Sequence, residues 1–74
     1  MKEPKRRLLA IERMLLPGDP LTLKDITRKL DLYYDIQADR KSIYDDIKAL
    51  NYFMPIEMFW MGNTVYYQHV PSEE

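Results

Sequence analysis

The sequence predicts a mainly α-helical domain that ends in a small β-hairpin. Three stretches space their apolar residues at helical intervals, and Pro, Gly or polar breakers separate them. After Pro55 the pattern changes to β-forming residues around a Gly62-Asn63 pair. Seventy-four residues make one small domain, with 1–4 and 71–74 expected to fray. A chain this short buries only about 60% of its unfolded surface, so it must pack well or pair with a copy of itself.

The first helix lies in KRRLLAIERMLL, residues 5–16. Leu8, Ile11 and Leu15 fall at i, i+3 and i+7, with Leu9 and Leu16 flanking a wide apolar stripe. Pro4 suits the first turn, where its missing amide has no partner to lose. Pro17-Gly18-Asp19-Pro20 stops the helix, because proline cannot continue the ladder and glycine accepts a left-handed cap. The second helix opens at Thr22, and Asp25 three residues later forms a capping box with Asp in place of the usual Glu. Leu23, Ile26 and Leu30 share its apolar face. Residues 31–38, DLYYDIQA, have no clear period and are expected to be a connecting turn, with Tyr33, Tyr34 and Ile36 partly on the core.

The third helix, over 39–51, is DRKSIYDDIKAL plus Asn51. Asp39 is its N-cap, where a carboxylate also suits the positive helix end. Ile43, Ile47 and Leu50 fix the buried side, and Asn51 is expected to end the helix in the left-handed conformation. In IEMFWMGNTVYYQHV, Gly first in a two-residue loop suits a type II′ turn. Met61 then pairs with Thr64, and Trp60 with Val65. Ile56, Met58, Trp60, Val65, Tyr67 and His69 share one face; Glu57, Phe59, Met61, Tyr66 and Gln68 share the other. A lone hairpin is barely stable in water, so it must lie against the helices. Three helices followed by a two-stranded wing is the winged helix–turn–helix arrangement.

Composition removes several function classes. There is no cysteine, hence no disulfide framework and no thiolate metal site. No apolar run approaches the roughly 20 residues of a membrane span, and the first sixteen residues lack the features of a signal peptide. A cytoplasmic protein is expected. His69 is the single histidine and has no second ligand at metal spacing, so neither a metal nor another cofactor is expected. Ser42 and Ser72 sit in no nucleophile motif, Asp45 and Asp46 point about 100° apart on a helix, and no Gly-rich phosphate loop exists. The chain is read as a non-enzyme with no small-molecule ligand.

The net charge of −1 is uninformative, but its distribution is not. All 11 Lys and Arg lie at or before Lys48; residues 1–30 carry 8 basic against 4 acidic groups, and residues 49–74 carry 3 acids and no base. With its buried side fixed, the third helix turns Arg40, Lys41, Ser42, Tyr44, Asp45, Lys48 and Asn51 outward. Arg or Lys in the first turn of such a helix can reach guanine O6 and N7 in the major groove. Ser42 and Tyr44 can bind phosphate or base, and the first-turn amides can hold a phosphate oxygen.

DRKSIYDDIKAL followed by PIE resembles the DNA-binding domain at the amino end of bacterial WYL-domain transcriptional regulators and, more loosely, of DeoR-type repressors. Arg40, Lys41, Ser42, Ile43, Tyr44, Asp46, Ile47 and Leu50 match that family's cap–polar–Ser/Thr-Ile-Tyr/Arg-Arg-Asp-Ile-x-x-Leu run. LTLKDITRKL is similar to its second helix and RRLLAIERMLL to its first. The resemblance covers about residues 5 to 70 and implies a winged helix that binds double-stranded DNA sequence-specifically. Asp45 stands where the family usually has Arg, the Gly usual after the third helix is missing, and the effector-sensing domain of full-length regulators is not in this chain. A piece cut from a longer regulator is therefore one reading of it.

On these grounds the expected function is that of a dimeric transcriptional regulator. Arg40, Lys41, Ser42 and Tyr44 would read bases or adjoining phosphates, and Thr22, Lys24, Arg28 and Lys48 would hold the backbone. Lys2, Lys5, Arg6, Arg7, Arg13 and Lys29 are further candidate phosphate clamps. The hairpin carries no cation, unlike many DNA-binding wings. Phe59, Met61 and Tyr66 on its second face are expected to contact protein, most simply a second copy. The alternative function follows from that face: a winged-helix interaction module, an adaptor or mobile-element inhibitor, that binds a protein partner through the aromatic hairpin.

Overall fold

A computed structural model of the chain describes residues 3–71. Helices α1 (Pro4–Leu15), α2 (Leu23–Tyr34) and α3 (Arg40–Leu50) precede strands β1 (Ile56–Met61) and β2 (Thr64–His69), which pair antiparallel. The fold is mainly helical, three helices and one hairpin. Of the ends expected to fray, 1–2 and 72–74 lie outside the described residues, and Pro4 begins α1.

Each apolar stripe meets the other two at one centre. Ile11 and Leu15 from α1, Ile26 and Leu30 from α2 and Ile43 from α3 are fully buried, joined by Ile47, Leu50, Leu21, Met54 and Tyr67. Burying such a side chain contributes about 1.5–3 kcal/mol each, which is what holds so small a core together. Leu9 and Leu16, off the stripe, remain exposed.

The capping box at α2 is complete: Asp25 N–H donates to Thr22 Oγ1 at 3.0 Å and Thr22 N–H to Asp25 Oδ2 at 3.1 Å. Asp39 likewise accepts from Ser42 N–H at 2.8 Å, and Gly18 takes the left-handed conformation, φ +93°, after α1. Two expectations are corrected. Residues 31–34 continue α2, and the link to α3 is only 35–39. Asp35 supplies the left-handed residue (φ 56°), a conformation Asp tolerates better than most, and Ile36 N–H donates back to Leu30 O at 3.0 Å. Asn51 is right-handed, φ −65°; the chain leaves α3 through a turn over 51–54, and the Asn51 side chain accepts from Ile56 N–H at 2.9 Å.

The hairpin has the expected register, Trp60 opposite Val65 and Met61 opposite Thr64. Gly62 is left-handed (φ +64°) and Asn63 is not, as a type II′ turn requires. Leu21 and Tyr67 exchange two backbone hydrogen bonds, 2.9 and 2.7 Å, so the α1–α2 link lies beside β2 as a one-residue bridge. This bridge docks the hairpin on the helices, and it had no sequence signal. No helix among the described residues is long and apolar enough to cross a membrane.

Candidate nucleic-acid interface

The N-terminal halves of α2 and α3 come together beside the hairpin tip. Lys24, Thr27, Arg28, Ala38, Asp39 and Arg40 line one shallow depression. A second shares Lys24 and Arg40 and is completed by Thr22, Trp60, Asn63 and Thr64. Lys24, Arg28 and Arg40 are exposed and make no ion pair with any described residue. The capping box explains the placement: it fixes where α2 starts, and so sets Lys24 one turn from the Leu21–Tyr67 bridge that holds the hairpin.

Along α3 the burial of Ile43 and Ile47 turns Lys41, Asp45 and Lys48 to the side opposite the core. Lys41 Nζ bonds Asp45 Oδ2 at 3.0 Å, yet the lysine side chain stays 84% exposed. Such an exposed i, i+4 pair contributes little to stability. Lys48 lies 5.5 Å from the ring centre of Tyr44, a cation–π contact on the same ridge.

Asp46 faces inward. It accepts from Arg7 Nε at 2.5 Å and Arg7 Nη2 at 3.3 Å, and both side chains are mostly buried between α1 and α3. The carboxylate holds the guanidinium pKa above its usual value. Arg7 is thereby consumed as a brace and removed from the candidate phosphate clamps. Arg6 is held by the Tyr34 carbonyl at 2.6 Å and by Glu3 at 3.2 Å, at the end of α2 remote from Lys24. Arg13 lies on that same side, near Leu9 and Tyr34. Arg6, Arg7 and Arg13 therefore do not join Lys24, Arg28 and Arg40 in one cluster; Lys2 lies outside the described residues. Ser42 also departs from the group, being half-buried and lining a cleft with Arg6, Arg7 and Gln37.

The hairpin divides its apolar surface differently from the sequence reading. Tyr67 is buried and Ile56 and Val65 partly so, but Met58 and Trp60 on that same face are 57% and 66% exposed, because the hairpin runs past the helices. On the second face Phe59 and Tyr66 stack at 5.7 Å and shelter each other; only Met61 of the three is openly exposed. The sequence alone gives no sign that Trp60, Asn63 and Thr64 join this surface. Register alone could place Trp60 opposite Val65, but bringing it beside Arg40 depends on the Leu21–Tyr67 bridge. His69 Nδ1 sits 3.3 Å from the Leu16 carbonyl, a packing position at the end of α1.

No family model matches the chain, and no curated protein and no solved structure matches it either.

Proposed function

We propose that the chain is a winged helix–turn–helix protein that binds double-stranded DNA and acts as a transcriptional regulator, with α3 entering the major groove. One observation carries the reading. Lys24, Arg28 and Arg40, all exposed and outside any ion pair among the described residues, stand together at the N-terminal halves of two capped helices. Helix N-termini favour anions, and the cations beside them add long-range attraction. Arg40 and Lys41 reach base edges, Tyr44 and Lys48 follow along the ridge, and Thr22, Lys24 and Arg28 hold phosphates. Ser42 keeps only its backbone role at the cap.

The test is a titration against random duplex DNA at several salt concentrations. Each phosphate neutralised contributes about 0.9 to the slope of log K against log salt. The backbone-holding cations Lys24, Arg28 and Lys48 together give a slope of about −2.5 to −3. Failure to bind any duplex at low salt overturns the proposal.

A second reading rests on the exposed Met58, Trp60 and Met61 of a hairpin without cations. In it the hairpin docks a protein, a second copy or another partner, and DNA affinity is weak. Salt-independent association in sedimentation, abolished by Met61→Glu, supports this reading.

A further inference from the structure

Asp45 is an unusual residue for the outermost ridge of a helix that meets DNA. Two walls of phosphate repel it, and burying its charge in the groove is costly without a hydrogen-bond donor. In the major groove the bases offer only two donors, cytosine N4 and adenine N6. Asp45 does not stand alone: Lys41 is bonded to it at 3.0 Å, with side chains 84% and 52% exposed. Only Oδ2 is engaged by the lysine. Oδ2 keeps a second lone pair with which to accept, and the ammonium keeps two N–H groups to donate.

We infer that Lys41 and Asp45 read one C·G base pair as a unit, Lys41 donating to guanine O6 and Asp45 accepting from cytosine N4. The inference rests on the DNA-binding reading above. Its geometry is that of two matched hydrogen-bonded pairs. In a C·G pair N4 donates to O6 across about 2.9 Å, the usual N–H···O separation. The Nζ–Oδ2 separation of 3.0 Å has the same span with donor and acceptor reversed. Laid edge to edge, each donor faces an acceptor, and Asp45 keeps a counter-charge while it is desolvated. A reversed G·C or T·A pair sets carboxylate against carbonyl and ammonium against amine. An A·T pair presents the same order of donor and acceptor, but a thymine methyl replaces the second acceptor, N7, that guanine offers the ammonium. The unit therefore ranks C·G first, A·T second and the reversed pairs last.

The experiment selects bound duplexes from a random library at about 50 mM salt, with the wild-type chain and with Asp45→Asn, each checked for folding by its thermal melt. The wild type is expected to select a C·G pair at one position and to lose roughly 5- to 150-fold in affinity when that pair is reversed. Asp45→Asn is expected to relax the position towards A·T, since an amide pairs well with adenine. Replacing the one cytosine by N4-methylcytosine, whose methyl occupies the groove-facing N–H, should weaken wild-type binding by at least about fivefold and leave Asp45→Ala unmoved. If Asp45→Asn and Asp45→Ala instead tighten binding to every sequence by one common factor, or the methylated duplex binds the wild type equally well, the pair is only a surface ion pair and the inference falls. The DNA-binding reading survives that result. Absence of any selected or bound duplex removes both.

Discussion

Replacing Arg7 by Met tests whether the α1–α3 brace carries the fold. The guanidinium makes two hydrogen bonds to Asp46, at 2.5 and 3.3 Å, and the side chains are 15% and 13% exposed. Methionine keeps most of the aliphatic stem, so the change isolates the charge. It strands a carboxylate between two helices. Removing one partner of a fully buried pair costs about 3–5 kcal/mol; the remaining solvent access lowers this to about 2–4 kcal/mol. A chain of this length has about 4–11 kcal/mol in total, so the variant loses a large share of its stability. Its Tm should fall by more than about 10 °C. Urea melts followed by far-UV circular dichroism give the free energy. Asp46→Asn should cost less, because the long arginine can swing its charge to water. The double variant Arg7→Met/Asp46→Leu should return to within about 1 kcal/mol of the wild type, since an apolar pair needs no counter-charge. An Arg7→Met chain within about 0.5 kcal/mol of the wild type would refute the reasoning, because that is the size of an ordinary surface substitution.

Three further outcomes follow from the same geometry. Arg40→Ala should cost about 1–3 kcal/mol on the preferred sequence and relax specificity there, whereas Lys24→Ala should weaken all sequences alike and lower the salt slope by about 1; comparing the two on selected and random duplexes checks the assignment of roles. Trp60 is the only tryptophan and sits beside Arg40 and Lys24, so its emission should change in step with the anisotropy of a labelled duplex, and emission that stays flat through saturation would place the hairpin tip off the DNA. Burial, and then the nearby Tyr44, push the Tyr67 phenol above its ordinary 10.0; the neutral form is favoured in the fold, so stability is full below pH 10 and declines as pH rises through that value, and Tyr67→Phe should remove part of this alkaline loss in melts at paired pH values.

The sequence was most legible where one local rule decides the outcome. Thr22 with Asp25, Asp39 before Ser42, Gly18 after α1 and Gly62-Asn63 in the hairpin each act within a few residues, and each formed as read. Legibility failed where a distant partner decides. Residues 31–34 show no helical period, yet α2 extends through them because Asp35 can turn left-handed and Ile36 can reach back to bury itself beside Leu30. Asn51 had the residue type for a left-handed stop, but its side chain is engaged by the Ile56 amide across the turn. Arg7 looked like the cations around it; only the packing of α1 on α3 reveals that Asp46 holds it. The cluster of Lys24, Arg28 and Arg40 was half-legible: residue types and helix faces were readable, but the hairpin tip joins them through a Leu21–Tyr67 bridge that no periodicity announces.

A net charge of −1 opposes polyanion binding only if the charges are spread evenly, and here the fold sorts them. Asp25 accepts from the N-cap amide of Thr22 at the start of α2 and Asp39 from the Ser42 amide at the start of α3, where each offsets a partial positive charge of the helix end. Asp46 is turned inward against Arg7, and Asp31 accepts from Gln37 at 2.6 Å near the far end of α2. On the outer ridge of α3 that leaves Asp45 as the acid among Arg40, Lys41, Tyr44 and Lys48, with Lys24 and Arg28 alongside. Capping thus does two jobs with one carboxylate. It starts the helix, and it ties an acid to backbone amides at the surface proposed to meet DNA. A capping residue without charge, Ser in place of Asp39, would satisfy the same amide and leave the ridge more positive, so under the proposed function affinity for random duplex should rise while the specificity proposed for Arg40, Lys41 and Asp45 stays where it was.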